Sequence, residues 1–374
     1  MSSETVSIYQ RTLRHFLAPI QDFLDDATVS EVMVNSHDEI FVERGGRLER
    51  TEAHFEDAEA LEAALRNIAQ FVGKRLVPEN PSIEARLPDG SRVHIVQAPA
   101  ARKGHAVAIR KFAEQRLDLA ALIAGGALSP VAAEFLGLCV GLHKNVIVSG
   151  GTGSGKTTLL NCLSGLIPDG ERIIVLEDSS ELQLQQDHVV SFETQPADRH
   201  GRGGMTIRDL FRASLRMRPD RIVIGECRGG EALDMIQAMT SGHSGSLSTA
   251  HANAPADALT RLETMALMGG VDIPLFALRS QVASAIDLIV QIARFADGSR
   301  RITHVSEVLP LTDSGEYRIV DIFRFESHGA DPDGKIRGEL VWTGEHPTFF
   351  NQPTAMGLLE QVQLTREIWK EPNT

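Results

Sequence analysis

The apolar positions of the first hundred residues change period several times. From Ile8 to Phe23 they recur at helical spacing, at Leu13, Phe16, Leu17, Ile20, Phe23 and Leu24, and predict a helix. Val29 to Asn35 and Glu39 to Glu43 alternate as short strands, the second ending at the Gly45-Gly46 turn. Ala58 to Val72 places Leu61, Leu65, Ile68, Ala69 and Val72 on one helix face. Pro78 to Pro81 interrupts regular structure. Ile83 to Leu87, Val93 to Gln97 and Ala106 to Arg110 then read as strands joined by Pro88-Asp89-Gly90 and a Lys103-Gly104 turn. Residues 1 to 108 therefore predict an α+β domain with no catalytic motif of its own.

Residues 109–128 read as a connection. Beyond it, short apolar runs alternate with helix-compatible stretches, as a parallel sheet covered by helices requires. The predicted strands are Asn145–Ser149, Arg172–Leu176, Val189–Phe192, Arg221–Gly225 and Ser246–Ala250. Later β-structure is predicted at Asp287–Ile292, Thr303–Leu309 and Tyr317–Phe325. The expectation is an α/β domain over 129–325 and a tail over 326–374 ending in a helix near Leu358 to Trp369. No internal repeat or low-complexity segment is present.

Composition narrows the class. An apolar fraction of 42% and a charged fraction of 23% over 374 residues are those of a globular chain of about two domains. A net charge of −13 gives no general steering towards nucleic acid or anionic lipid. Cys139, Cys162 and Cys227 lie far apart in apolar stretches, which fits buried thiols better than disulfides or a zinc site. Met1 to Gln10 lacks the apolar core of a signal peptide, and the Leu119–Leu128 run is too short to span a bilayer. The expected location is the cytoplasm, unless a partner holds the chain at a membrane.

The chemistry centres on Gly150, Gly151, Thr152, Gly153, Ser154, Gly155, Lys156, Thr157 and Thr158, which fit G-x-x-x-x-G-K-[ST]. An apolar strand precedes the motif and a helix-compatible stretch follows it. Glycines let backbone N–H groups turn inward, and the helix N-terminus adds positive potential, so a polyphosphate is cradled. Lys156 then reaches the outer phosphates and the Thr157 hydroxyl ligates Mg²⁺. This is the pattern of a nucleoside triphosphate site.

Two predicted strands end in acid, at Glu177 and Glu226. Such carboxylates orient an attacking water or hold the metal through a water; strand-end acids also serve as plain caps or surface charges. His243 and His251 lie eight apart among small residues, a spacing that fits no common zinc pattern. They read either as a bland loop or as a sensor of the terminal phosphate. Thr206 to Asp209 carries a capping-box pattern. Arg208, Arg212 and Arg216 share a helix face, either solvated or aimed at a neighbouring subunit's nucleotide. Arg86, Arg92 and Arg110-Lys111 are candidates to reach the phosphates from the first domain.

Gly150–Thr158, Ile173–Leu184 (IIVLEDSSELQL), Leu215–Glu231 (LRMRPDRIVIGECRGGE) and Ser241–Asn253 (SGHSGSLSTAHAN) occur in the order of the secretion-system traffic ATPases. The wording resembles the CpaF-like branch serving tight-adherence (Tad) pili, including Ala85–Val93 (ARLPDGSRV), Ile109–Phe112 (IRKF) and the tail from Asp333 to Pro347. The resemblance implies a RecA-like P-loop ATPase core with a smaller N-terminal α+β (PAS-like) domain. Glu177 would activate water, Glu226 would act on Mg²⁺, and His243 and His251 would sense the γ-phosphate. Arg92 and Arg110 would reach the nucleotide. It further implies ATP and Mg²⁺ as cofactors, a homo-hexamer, and an inner-membrane platform protein as partner, with the chain peripheral at that membrane. Type IV secretion or conjugation ATPases share the core motifs. A RecA-like nucleic-acid translocase is the rival from another class, and the acidic charge and the lack of an aromatic-interleaved basic stretch weigh against it.

Overall fold

The computed structural model describes residues 11–77, 81–112, 117–197 and 200–372. The chain divides into two compact units, Met1–Arg116 and Leu117–Thr374. The predicted connection over 109–128 is thus shared between them, and the predicted tail belongs to the second.

In the first unit, residues 11–16 are helical, a turn at Leu17 follows, and α1 (Ala18–Asp25) restarts with Pro19 in its first turn. Proline has no N–H to donate, so the single predicted helix becomes two pieces; its first predicted residues, 8–10, lie outside the described residues. Then come β1 (Val29–Ser36), β2 (Glu39–Arg44), β3 (Arg47–Arg50), α2 (Ala58–Phe71), β4 (Ser82–Arg86), β5 (Arg92–Val96) and β6 (Ala106–Arg110). The strands form one antiparallel sheet in the order β3-β2-β1-β6-β5-β4. β3 was not predicted; its four residues are all exposed and carry no alternation to read. The Asp57 carboxylate caps α2 through the Ala60 N–H at 2.7 Å. Leu61, Leu65 and Ile68 of α2 join Val32, Val34, Ile83, Val93 and Ile109 in the core.

Register places Arg86 opposite Arg92, Arg92 opposite Arg110, Arg110 opposite Glu31, and Glu31 opposite Glu43. Directly opposed residues share a face, so three guanidinium-bearing positions stand side by side and end on an acid. Burial pushes the Glu31 carboxyl up, and Arg110 acts against that shift.

The second unit contains α3 (Leu119–Ala124), α4 (Pro130–Gly141), β7 (Val146–Gly150), α5 (Lys156–Ser164), β8 (Ile173–Glu177), β9 (Val189–Glu193), α6 (Ile207–Ser214), β10 (Arg221–Ile224), α7 (Glu231–Thr240), β11 (Leu247–His251), α8 (Pro255–Leu267), α9 (Leu275–Ala285), β12 (Leu288–Arg294), β13 (Arg300–Leu309), β14 (Arg318–Ala330) and β15 (Ile336–Trp342). Its sheet runs β15-β14-β13-β12-β7-β11-β10-β8-β9. β12, β7, β11, β10, β8 and β9 are mutually parallel, and β13 to β15 extend the sheet as antiparallel hairpins. Alternate residues feed two cores. Val146, Val148, Ile173 and Val175 pack on the side that holds buried residues of α4 and α5. Ile147, Ile174, Ile222 and Ile224 pack on the side of α6 to α9. All three cysteines are free and buried.

The predicted C-terminal helix does not form. Only a 3₁₀ turn, Leu359–Gln361, is helical between residues 358 and 369. The Glu134 carboxylate of α4 instead accepts the backbone N–H groups of Gln363, Leu364 and Thr365 and the Thr365 hydroxyl, at 2.7–3.0 Å. Those amides therefore donate outside the segment, and the helix-like spacing of Val362, Thr365, Ile368 and Trp369 serves a strap that buries them. Trp369 stacks on Phe135, with ring centroids 5.1 Å apart and planes inclined by 17°. Trp369→Ala should cost about 3 kcal/mol, as truncation of a buried aromatic does, read as a lowered denaturation midpoint of the second unit. A change below about 0.5 kcal/mol, the size of an ordinary surface substitution, would mean that the strap is undocked in solution.

Candidate nucleotide site

β7 lies between β11 and β12 in the sheet, and its last residue, Gly150, opens the phosphate loop at the carboxyl ends of the parallel strands. Ligands of open α/β sheets bind at this edge. Gly150 is required by proximity: a Cβ there would come within 2.4 Å of the Ile292 carbonyl oxygen. Gly155 is required by conformation, capping α5 at φ +98° in the left-handed region. The loop is braced internally by the Ser154 hydroxyl, which donates to the Gly151 carbonyl at 2.9 Å. Arg300 adds an external brace, its Nε donating to the Gly153 carbonyl at 2.9 Å.

Lys156 is the first residue of α5 and only 8% exposed. Its Nζ donates to the Gly151 carbonyl at 2.9 Å and lies 3.3 Å from His251 Nδ1. The other ring nitrogen of His251, Nε2, sits 2.8 Å from Glu226 Oε1. These partners select the tautomer with the proton on Nε2: it donates to Glu226, and Nδ1 accepts from Lys156. Burial first, then the Lys156 ammonium, pushes the His251 imidazole below the ordinary histidine value, while Glu226 acts in the opposite direction. At neutral pH the ring is neutral and links the loop lysine to the strand-end acid.

Glu226 follows β10 and also accepts a guanidinium hydrogen bond from Arg228. Arg228 approaches Asp178 at 3.5 Å, and its backbone N–H is held by Glu231 Oε1 at 2.7 Å. Glu177 ends β8 and is 3% exposed. Its Oε1 accepts the Glu181 and Leu182 N–H groups at 2.9 and 3.0 Å. Burial nevertheless dominates and raises its carboxyl above the usual range. Gly225 makes room for it, since a Cβ there would meet Glu177 Cγ at 2.9 Å.

An open cavity of about 600 Å³ adjoins this cluster, lined by Gly151, Thr152, Arg228, His251 and residues of α8, including Asp257 and Arg261. The strand-end acids, the lysine and His251 thus fall at one edge of one sheet. His243 does not join them. It precedes β11 and lies at the opposite sheet edge, where Asn145 Oδ1, just before β7, accepts the Ser246 N–H at 3.0 Å. The five-residue strand Leu247–His251 ends on the second histidine, and its rise alone is roughly 15 Å. The His243 Nδ1 is buried without a hydrogen-bond partner.

On the shared arginine face of α6, Arg208 and Arg212 both donate to Asp234 of α7, at 2.5 and 2.9 Å, while Arg216 donates to the Arg212 carbonyl at 2.9 Å. Three contributors escaped the sequence reading. Arg228 stands two residues after Glu226 and could have been found from that spacing. Arg300 and Gln291 lie about 150 residues from the loop and carry no local signal.

A parallel α/β sheet with a glycine-rich loop, a helix-start lysine and strand-end acids at one edge defines a P-loop nucleotide-binding protein. The profile of the family described as "Type II/IV secretion system protein" matches residues 15–318. A putative conjugal transfer protein of Mycobacterium tuberculosis is 36% identical over 293 residues, covering 77% of this chain and 83% of that protein. Type IV secretion system protein PtlH of Bordetella pertussis is 36% identical over 319 residues, covering 78% and 94%. The pilus retraction motor PilT, solved with bound ADP, shares the fold at 16% identity and a TM-score of 0.52, covering 95% of this chain and 91% of that one. The chain belongs to the type II/IV secretion system protein family.

Proposed function

We propose that this chain is an Mg²⁺-dependent ATPase that hydrolyses ATP to ADP and phosphate as a hexameric motor at the inner membrane, serving a Tad pilus or a related machine. The observation that carries the reading is the Lys156–His251–Glu226 link at the mouth of the phosphate loop. Triphosphate oxygens compete with the Gly151 carbonyl for the Lys156 ammonium, and the loop N–H groups complete the cradle. A shift of Lys156 is felt by His251 and, through it, by Glu226, which makes His251 a reporter of the terminal phosphate. Glu177, raised by burial, is suited to accept a proton from the attacking water. The Thr157 hydroxyl and the Glu226 carboxylate are hard oxygen donors of the kind magnesium prefers, and they would hold it directly or through water. The ion, when bound, neutralises charge developing on the phosphates. Arg228 must then yield its hold on Glu226. His243 stands before the other end of β11 from the phosphate loop, so this reading gives the sensor role to His251.

The first unit supports the same reading by its row of Arg86, Arg92 and Arg110, an arrangement suited to an anion. We assign Arg92 and Arg110 to the nucleotide. In the described residues no helix is long and apolar enough to cross a membrane; the proposed membrane association runs through a platform protein. The likeness to proteins of conjugal transfer and type IV secretion supports a second reading equally, a type IV secretion or conjugation ATPase.

Phosphate release from ATP by the purified chain, with and without EDTA, tests the activity, and light scattering tests the hexamer. Deletion in the encoding organism separates the machines: loss of surface fibres supports the pilus, and loss of DNA or protein transfer supports the alternative. DNA-stimulated, salt-sensitive hydrolysis would move the assignment to a nucleic-acid translocase.

The His251 shift gives a pH prediction. As pH falls through its lowered pKa, a proton on Nδ1 meets the Lys156 ammonium, and the link to the loop is lost. The logarithm of kcat should fall with a slope of about one per pH unit on this acid limb. His251→Asn should be slower throughout and lack that limb. An identical acid limb in the variant would assign the titration to another group.

A further inference from the structure

β12 carries one buried amide among hydrocarbon. Gln291 is 3% exposed and has the strand parity of Ile289, so it faces the α6–α9 side of the sheet. Its register partner on β7 is Ser149, itself fully buried, whose hydroxyl donates to Gln291 Oε1. Gln291 Nε2 donates to the Ala252 carbonyl at 3.1 Å. Ala252 is the residue after His251, and its own N–H points to the Gly150 carbonyl at 3.3 Å.

Because β7 lies between β12 and β11, this single side chain passes across the strand that feeds the phosphate loop. It holds the end of the strand that carries His251. An amide and a hydroxyl in an apolar layer are costly unless their hydrogen bonds are satisfied. Here the satisfying partners are residues next to Gly150 and next to His251. An apolar residue would fill the same volume with neither directional bond.

We infer that Gln291 is a positioning residue, which sets the His251 ring against Lys156 and the phosphate loop from the opposite face of the sheet. The inference rests on the proposed ATPase reading for its kinetic consequence, but not for its geometry. The Ala252 carbonyl is one peptide from the His251 Cα, so releasing it lets the strand end shift while the loop itself stays cradled by its own backbone. The effect belongs in turnover rather than in affinity.

Gln291→Met keeps the volume and removes both bonds. It should lower kcat about 30-fold, the scale of a sub-ångström misplacement, with the dissociation constant of a fluorescent ATP analogue changed less than about threefold. Added to His251→Ala, the same substitution should cost less than about threefold more, because both act through one ring. Gln291→His, which retains a donor and an acceptor, should recover much of the rate. A merely structural amide predicts the reverse: weakened binding or a lowered melting temperature, with kcat losses that multiply in the double variant.

A second readout does not depend on hydrolysis. A crystal structure of Gln291→Met should show the Ala252 carbonyl displaced and the distance from His251 Nδ1 to Lys156 Nζ lengthened beyond 3.3 Å. Should Gln291→Met fail to fold, Ser149→Ala unties the other end of the amide and is read in the same two ways. An unmoved His251 ring, or additive losses in a folded variant, overturns the inference. A wild-type chain that hydrolyses no ATP overturns the proposed function and leaves the ring position to decide this one.

Discussion

Lys156→Ala should lower steady-state phosphate release by about 10³-fold or more, the scale on which electrostatic stabilisers of a transferring phosphoryl group act. The lysine is the only ammonium that the loop buries at its own helix start, where it is held by the Gly151 carbonyl and the His251 ring. Both are neutral groups, and triphosphate oxygens would compete with them for the ammonium. Removing it also leaves the Nδ1 of His251 without its donor. The fold should tolerate the change, because the buried charge and its desolvation cost leave with the side chain. The expected variant therefore melts close to wild type, binds the ATP analogue more weakly and turns over negligibly in a continuous phosphate-release assay. A rate within tenfold of wild type would remove Lys156 from the site.

Glu177→Gln should separate activity from stability in opposite directions. Turnover should fall by at least about 10²-fold, because an amide cannot accept the proton of the attacking water. Stability should rise. Burial raises the folded-state pKa of Glu177 above its unfolded value, so the folded chain binds more protons between the two values and loses stability as pH rises through that window. The penalty is fully present above the folded pKa and absent below the unfolded one. An amide oxygen can still accept the Glu181 and Leu182 N–H groups without a buried charge. At pH 7 the variant should melt roughly 2 °C higher, the shift expected of a fraction of a kcal/mol in a unit this size. The gap should close as pH falls towards the ordinary carboxylate range. A variant that melts lower at pH 7 would show that its hydrogen bonds outweigh burial, and one with full turnover would make Glu177 structural.

The opposite signs in Glu177 are physically coherent. A carboxylate that is poor at holding its charge in the folded state is a better base than a solvated one, and the same desolvation weakens the fold. Gly225, which gives way to the Glu177 side chain, belongs to the same arrangement. Glu226 differs because His251 and Arg228 already occupy its two oxygens, so the proposed metal-holding role would begin with an exchange of partners.

The parallel strands were legible because their apolar runs are short, bounded by turn residues and separated by helix-compatible stretches. Those are local properties of chain stiffness and side-chain partition between water and core. The phosphate loop was legible for a related reason: its glycines and its helix-start lysine act through consecutive backbone atoms, so the motif is contiguous. The C-terminal strap was misread because helical spacing records which side chains are buried. It does not record where the amides donate, and Glu134, more than two hundred residues earlier, supplies that acceptor. His243 and His251 looked like one motif because eight residues are few along the sequence. Five of them are strand, and extension carries the pair to opposite sheet edges.

By itself, then, the sequence determined the α/β character of both units, the phosphate loop, and the acids that end β8 and lead out of β10. Each of these rests on residues adjacent in the chain, where covalent geometry and local propensity decide the outcome. Only the tertiary structure decided which of them meet: that His251 stands between Lys156 and Glu226, that Arg228 pairs with the acid, and that Gln291 ties two strand ends together beneath the loop. Those contacts depend on the strand order β12-β7-β11-β10-β8, and packing sets that order over separations that no local pattern records.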